Sequence, residues 1–173
     1  MSRFKYKGAG DGWARMEGIL VEFEKDQLRR DPENNVGAPW KWGIIGEFPE
    51  SGLVPTVVVY GLMGIDVSLN SLIIAPSLPD KIEWAQVSQL IYKGASYQIR
   101  AEKNKNGNME KLVIEAKKAF KDNSFVIGSL SANAEYSLQT DAVNKKLVSD
   151  KTGYIYLDKI SAKKIVLTRI RNL

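Results

Sequence analysis

The sequence predicts a mainly β protein with an α-helical amino-terminal segment, its strands packed as an antiparallel sandwich. Three observations predict it. Beyond Gly64 the chain divides into about nine short alternating segments with turns roughly every eight to twelve residues, the texture of a sandwich. Residues of turn type punctuate that stretch at Tyr92-Lys93-Gly94, Asn106-Gly107-Asn108 and Thr152-Gly153, each placed to make a hairpin. Ahead of it, residues 1–66 instead carry apolar side chains at helical spacing.

The helices come first. Asp11 is placed to cap a helix whose apolar face is Trp13, Met16, Leu20 and Phe23, spaced three and four apart. Glu22, Glu24, Lys25 and Asp26 fill its polar side, Arg29 and Arg30 suit its C-terminus, and Asp31-Pro32 ends it. A loop rich in Gly, Pro, Asn and Trp runs to about Gly52 and contains KWGIIGEFPESGLVP. Ser51 then caps a second helix from Gly52 to Met63, with Pro55 tolerated in the first turn, where N–H groups lack helical partners. From Leu53 to Met63 the side chains leave no polar face, which predicts burial on every side.

The strands follow. Leu72–Ala75, Val87–Tyr92, Ser96–Glu102, Glu110–Ala116, Ser124–Ile127, Glu135–Gln139, Lys145–Val148, Gly153–Leu157 and Ala162–Ile170 are the candidates. Period-two alternation is clearest in Tyr97, Ile99 and Ala101 and in Ile165 and Leu167. Leu72, Ile74, Leu90, Ile99, Val113, Ile155 and Leu167 are the expected core. Trp84, in the linker before these strands, is expected to pin the helical and β parts together.

Composition excludes whole classes of chemistry. The chain has no cysteine and no histidine, so disulfides, thiolate nucleophiles, imidazole metal sites and Ser-His-Asp catalysis are absent. Acid–base work would fall to carboxylates. No metal and no cofactor is expected. Residues 1–66 carry 8 Lys/Arg against 10 Asp/Glu, and residues 67–173 carry 17 against 10. The basic half has no nucleic-acid recognition motif beside it, and its lysines cluster in turn-like stretches, so solubility explains them and no nucleic-acid partner is expected. No apolar run reaches membrane-span length, so no membrane partner is expected, and the stretch MSRFKYKGAGDGW lacks the apolar core of a signal peptide, so no export signal is expected in it; the compartment is left open.

Four features stand in order along the chain: EFPESGLVP, then YGLMGI, then IAPSLP, then a tryptophan followed by Tyr-x-Gly before Tyr-x-Ile. On these, the sequence from Gly12 to Gln98 resembles the end of a six-hairpin, (α/α)6-barrel glycoside hydrolase and the start of its following β-sandwich. Trehalases, processing α-glucosidases, α-rhamnosidases and debranching-type enzymes make up that group. The resemblance implies that residues 1–66 are about one hairpin of such a barrel and that residues 67–173 are its carboxy-terminal sandwich. A helix apolar on every face is what a barrel helix is.

In the resembled enzymes, which invert by a pair of carboxyl groups, the general base is a glutamate in a loop before a late barrel helix. Glu47 in GEFPESG matches that place, and Glu50, Trp40 and Trp42 would stand beside the sugar. The general acid lies well upstream in those enzymes and has no counterpart here. Alone, the chain is therefore expected to be inactive. A glycoside ligand is the expected partner, with the rest of a barrel, or a second copy through residues 1–66, covering the apolar helix. The alternative is a carbohydrate-binding or structural sandwich with a helical docking arm.

Overall fold

A computed structural model describes residues 8–26, 53–105 and 107–172. Helix α1 spans Ala9–Asp26. It starts two residues before the expected cap, so Asp11 lies inside the first turn, where a carboxylate meets the positive end of the helix dipole. The first turn closes through the Gly12 N–H, which donates to the Gly8 carbonyl at 3.2 Å. Met16 is buried and Trp13 packs half-buried against the core, as their spacing predicts.

The second helical segment departs from expectation in shape and in burial. Helix α2, Leu53–Val57, gives way to a π-helical turn over Val58–Leu62, closed by the Met63 N–H donating to the Val58 carbonyl at 2.9 Å. Burial on every side is corrected: Pro55 and Tyr60 are exposed, Val57, Val58 and Val59 are half-buried, and Gly61, Leu62 and Met63 are buried. The segment lays one face on the β core and leaves the other to solvent.

Eight strands follow: β1 Ile65–Val67, β2 Ser71–Ile74, β3 Trp84–Tyr92, β4 Ala95–Lys103, β5 Met109–Ile127, β6 Ala134–Thr140, β7 Asn144–Val148 and β8 Ile155–Asn172. They form one hydrogen-bonded sheet in the order β1-β2-β5-β8-β6-β7, with β4 also on β5 and β3 beyond β4. The protein is mainly β and its sheet is mixed, because β2 runs parallel to β5 with Leu72 opposite Phe125. The remaining pairs are antiparallel.

Lys93-Gly94 makes the expected two-residue hairpin, with both residues at positive φ (46° and 75°) as a type I′ turn requires. Asn104 to Asn108 turns β4 into β5, with Gly107 at φ 80°. Thr152-Gly153 turns the chain without making a hairpin, because β7 and β8 lie on opposite sides of β6.

Four expected strands merge into two long ones. Strand β5 joins Glu110–Ala116 to Ser124–Ile127, and β8 joins Gly153–Leu157 to Ala162–Ile170. The runs between them, the turn-like KKAFKDN and the short DKIS, are bends within strands. Register between β5 and β8 shifts three times from Glu115 to Phe125, and Asp122 and Lys159 take positive φ there. Such bulges add unpaired residues to a strand and bend it. Side chains hold the bend: the Asp122 N–H donates to Ser161 Oγ at 3.0 Å, and Ser124 Oγ donates to Asp158 Oδ1 at 2.7 Å.

The bent halves share one core. Ile99, Leu112, Ile114, Leu138, Ile165 and Leu167 come from one half, and Leu72, Ile74, Phe125, Ile127, Ile155 and Leu157 from the other. Tyr97, Phe120 and Phe125 meet at the bend with ring centroids 5.4–6.2 Å apart. The expected core holds at Leu72, Ile74, Ile99, Ile155 and Leu167. Val113 points the other way, since its neighbours Leu112 and Ile114 take the inward face and alternation leaves it outside. Leu90, beside a bulge, packs only partly against the core.

On β6, one strand in from the edge, Glu135 receives Lys146 of β7 at 3.1 Å and Arg171 of β8 at 3.0 Å. The Lys146 hydrogen bond, reinforced by both positive charges, holds its carboxyl below the usual carboxylate range. Asp150 is held low too, by the Thr152 hydroxyl (2.7 Å) and the Tyr154 N–H (2.9 Å). A depressed folded-state pKa gives stability that is complete above the unfolded value of about 4 and lost as pH falls through the folded one. Urea midpoints should therefore fall as pH drops from about 5 toward 2, and Glu135→Gln should flatten that fall. An equally steep profile in the variant would remove Glu135 from the account.

Candidate sheet-face binding site

The expected site residues Glu47, Glu50, Trp40 and Trp42 lie outside the described residues. The polar surface that the described strands assemble is the outward face of the sheet, on the opposite side from the core. Register places its side chains in rows. Gln86 of β3 lies opposite Arg100 of β4, which lies opposite Val113, and Val113 lies opposite Val166 of β8, itself opposite Gln139 of β6. One row along, Trp84, Glu102, Lys111, Thr168 and Ser137 repeat the order. Directly opposed residues share a face, so these rows form one surface running from β3 to β6.

Trp84 is the exceptional member. It opens β3 and is 51 % exposed, which corrects its expected role as a pin between two parts of the molecule. The Arg100 guanidinium lies 4.1 Å from its ring centre. Arg100 is fixed in turn by Glu102, whose Oε1 accepts its Nε–H at 2.7 Å. A guanidinium tethered by a carboxylate and stacked on an indole immobilises both groups and leaves much of the indole to solvent.

Beside this pair stand amides. Gln98 Nε2 donates to Gln86 Oε1 at 3.4 Å, and Gln86 Nε2 donates to Ser88 Oγ at 3.2 Å. Each amide also retains capacity for a further partner. Where Gln98 ends its row, Glu115 pairs with Lys164 at 3.3 Å. Ser88, Gln89, Ser96, Gln98, Lys117 and Lys163, with Glu115, then border a cleft of about 360 Å³. The β3 bulge opens this end, with Gln89 at φ 60° where register with β4 shifts.

A wider hollow of about 740 Å³ lies between Asp80 and Gly107, but its Lys103 already donates to the Pro79 carbonyl at 2.6 Å and holds that loop. Among the described residues no group of three or more acidic side chains converges as a metal site, and no helix is long and apolar enough to cross a membrane. Chemically the face offers an aromatic platform, hydrogen-bonding amides and both signs of charge. That is equipment for holding a polar, ring-containing ligand.

The aromatic and amide members could have been found from alternation alone. WAQVS puts Trp84, Gln86 and Ser88 on one side of a strand, and QIRAE does the same for Gln98, Arg100 and Glu102. The tyrosines divide: Tyr92, Tyr97 and Tyr136 are buried, whereas Tyr156 is exposed and Tyr154 stacks on it with ring centres 6.4 Å apart.

No family model matches this chain, and no curated protein matches it. Among solved structures it is similar to the hydroxypropylphosphonic acid epoxidase from S. wedmorenis at 16% identity and a TM-score of 0.18, covering 94% of this chain and 99% of that one. A second likeness is to Fe(II)-HppE with the alternative substrate (S)-1-HPP, at 16% identity and a TM-score of 0.19, covering 92% and 98%. At such scores neither carries an inference about fold or chemistry.

Proposed function

We propose that this chain is the carboxy-terminal part of a carbohydrate-active glycoside hydrolase, without hydrolytic competence alone, and that its β-rich portion holds saccharide on the outer sheet face. The observation that supports the binding reading is Trp84, half-exposed, stacked with Arg100 and continued along the face by Gln86 and the Gln98 bonded to it. A sugar ring presents apolar C–H faces and a rim of hydroxyls. An indole suits the faces, and amides and guanidinium suit the rim. Most outward sheet faces are merely solvated. An aromatic ring left half in water on a rigid support is what separates this one.

The hydrolase part of the proposal rests on the resemblance of Gly12 to Gln98. In that reading Glu47 descends from the general base, Trp40, Trp42 and Glu50 stand near the sugar, and the missing general acid leaves the chain inactive. The sharing of one core by the two bent halves supports the sandwich reading of residues 67–173.

Titration of the whole chain with neutral oligosaccharides of several linkages, followed by calorimetry and amide NMR shifts, tests the binding reading. At least one is expected to bind and to shift β3 and β4 signals. Trp84→Ala should weaken that ligand roughly tenfold or more, the scale of a lost aromatic anchor. Absence of binding across the panel, or unchanged affinity in the variant, rejects the sheet-face site.

A further inference from the structure

The cleft beside Gln98 carries charge that a neutral saccharide would leave unused. Lys117 and Lys163 both border it, and among the described residues neither has a carboxylate within ion-pairing distance. Glu115, the acidic residue on the rim, is already paired with Lys164 at 3.3 Å. Asp141 accepts the backbone N–H of Lys163 and forms no ion pair with its ammonium. Two lysines without an ion-pair partner among the described residues therefore border a cleft whose other polar side chains are hydroxyls, amides and the already paired Glu115.

We infer that this cleft takes an acidic unit of the glycan that stacks on Trp84, a sugar bearing a carboxylate or a sulfate ester. The inference rests on the carbohydrate reading and names its ligand class. Geometry joins the two ends of the site. Trp84 and Ser88 lie on the same strand, four residues apart, so at about 3.3 Å per residue they are separated by roughly 13 Å. Gln86, midway and bonded to both Gln98 and Ser88, makes the track continuous. The ligand is thus an oligosaccharide with its ring stacked at one end and its anion seated at the other. Glu102 and Glu115 on the same face disfavour a densely charged polyanion such as nucleic acid, whose phosphates would meet them.

Calorimetry on the whole chain at low salt should compare three oligosaccharides of equal length: neutral, uronic-acid-containing and sulfated. One acidic form is expected to bind roughly tenfold more tightly than the neutral one, with the gap narrowing as salt is raised. Which of the two acidic forms is favoured identifies the anion. The double variant Lys117→Gln/Lys163→Gln should bring the acidic ligand down to the neutral affinity, while amide NMR confirms an intact sheet. Equal affinities for all three, or a preference that survives the double variant, overturns the acidic-sugar inference and leaves the carbohydrate reading standing. No glycan binding at all overturns both. Tight binding of a single-stranded oligonucleotide that no glycan displaces would also overturn the inference.

Discussion

Gly64→Ala is expected to destabilise the protein by about 3–4 kcal/mol, combining left-handed backbone strain with a steric clash. Gly64 has φ 57° and joins the π-helical turn to β1. A β-carbon there would be driven into the Ala75 carbonyl group, 2.6 Å from its carbon. The obstacle is backbone and cannot rotate away. The same contact carries structure, because the Gly64 carbonyl accepts the Ala75 N–H at 3.1 Å and the adjoining Ser77 N–H reaches the Leu62 carbonyl at 2.8 Å. Gly94→Ala is the control. It has φ 75° but nothing within 4 Å of the added carbon, so it should cost only about 1–2 kcal/mol. Urea midpoints would separate the two. Equal losses would mean that the helical segment and the β2 end are not locked together here.

How far this fold could be read from the sequence depended on whether local pattern and long-range pairing agreed. The Lys93-Gly94 hairpin was legible because its chemistry is contained in two residues. The buried alternation of Tyr97, Ile99 and Ala101 was legible because both faces differ in polarity. Long strands β5 and β8 were not. Their bulges break period two at the turn-like KKAFKDN and the short DKIS, so each bend mimics a break between strands. Val113 was misplaced for a related reason: LVI offers three apolar residues in a row, and nothing local says which two point inward. The parallel β2–β5 pairing leaves no local mark at all, since Leu72 and Phe125 are 53 positions apart.

The proposed binding face was half legible. Alternation puts Trp84 with Gln86, and Gln98 with Arg100, but only register brings the two sets together and sets the indole under the guanidinium. Lys117 and Lys163 come to one cleft solely because β5 and β8 bend beside each other. Their sequence neighbours, AKKAF and AKKIV, look like ordinary solubilising lysines. Function at this face would be a property of the sheet, not of a motif.

The bend itself can be tested at Phe125, where Phe125→Ala is expected to cost about 3–5 kcal/mol, the range for a buried aromatic truncated to alanine. Phe125 is 1 % exposed and its ring meets Phe120 at 5.5 Å and Tyr97 at 6.2 Å, both edge-on. Tyr97 and Phe120 come from the β4 side of the bend, so the three rings bind one half of the sheet to the other. The cluster also encloses a polar pair, Asn123 donating its amide N–H to the Tyr97 hydroxyl. Burial pushes the Tyr97 hydroxyl pKa up, partly opposed by the Asn123 bond, and keeps the group neutral well into alkaline solution. A cavity beside that pair would admit water or leave it without support, so the loss should fall in the upper part of the range. Tyr156→Ala supplies the contrast: it removes a ring that is 68 % exposed on neighbouring β8 and should change stability by no more than about 0.5 kcal/mol. Chemical denaturation of both variants decides the matter. A loss under about 1 kcal/mol at Phe125 would mean that the two halves of the sheet do not close on a common core.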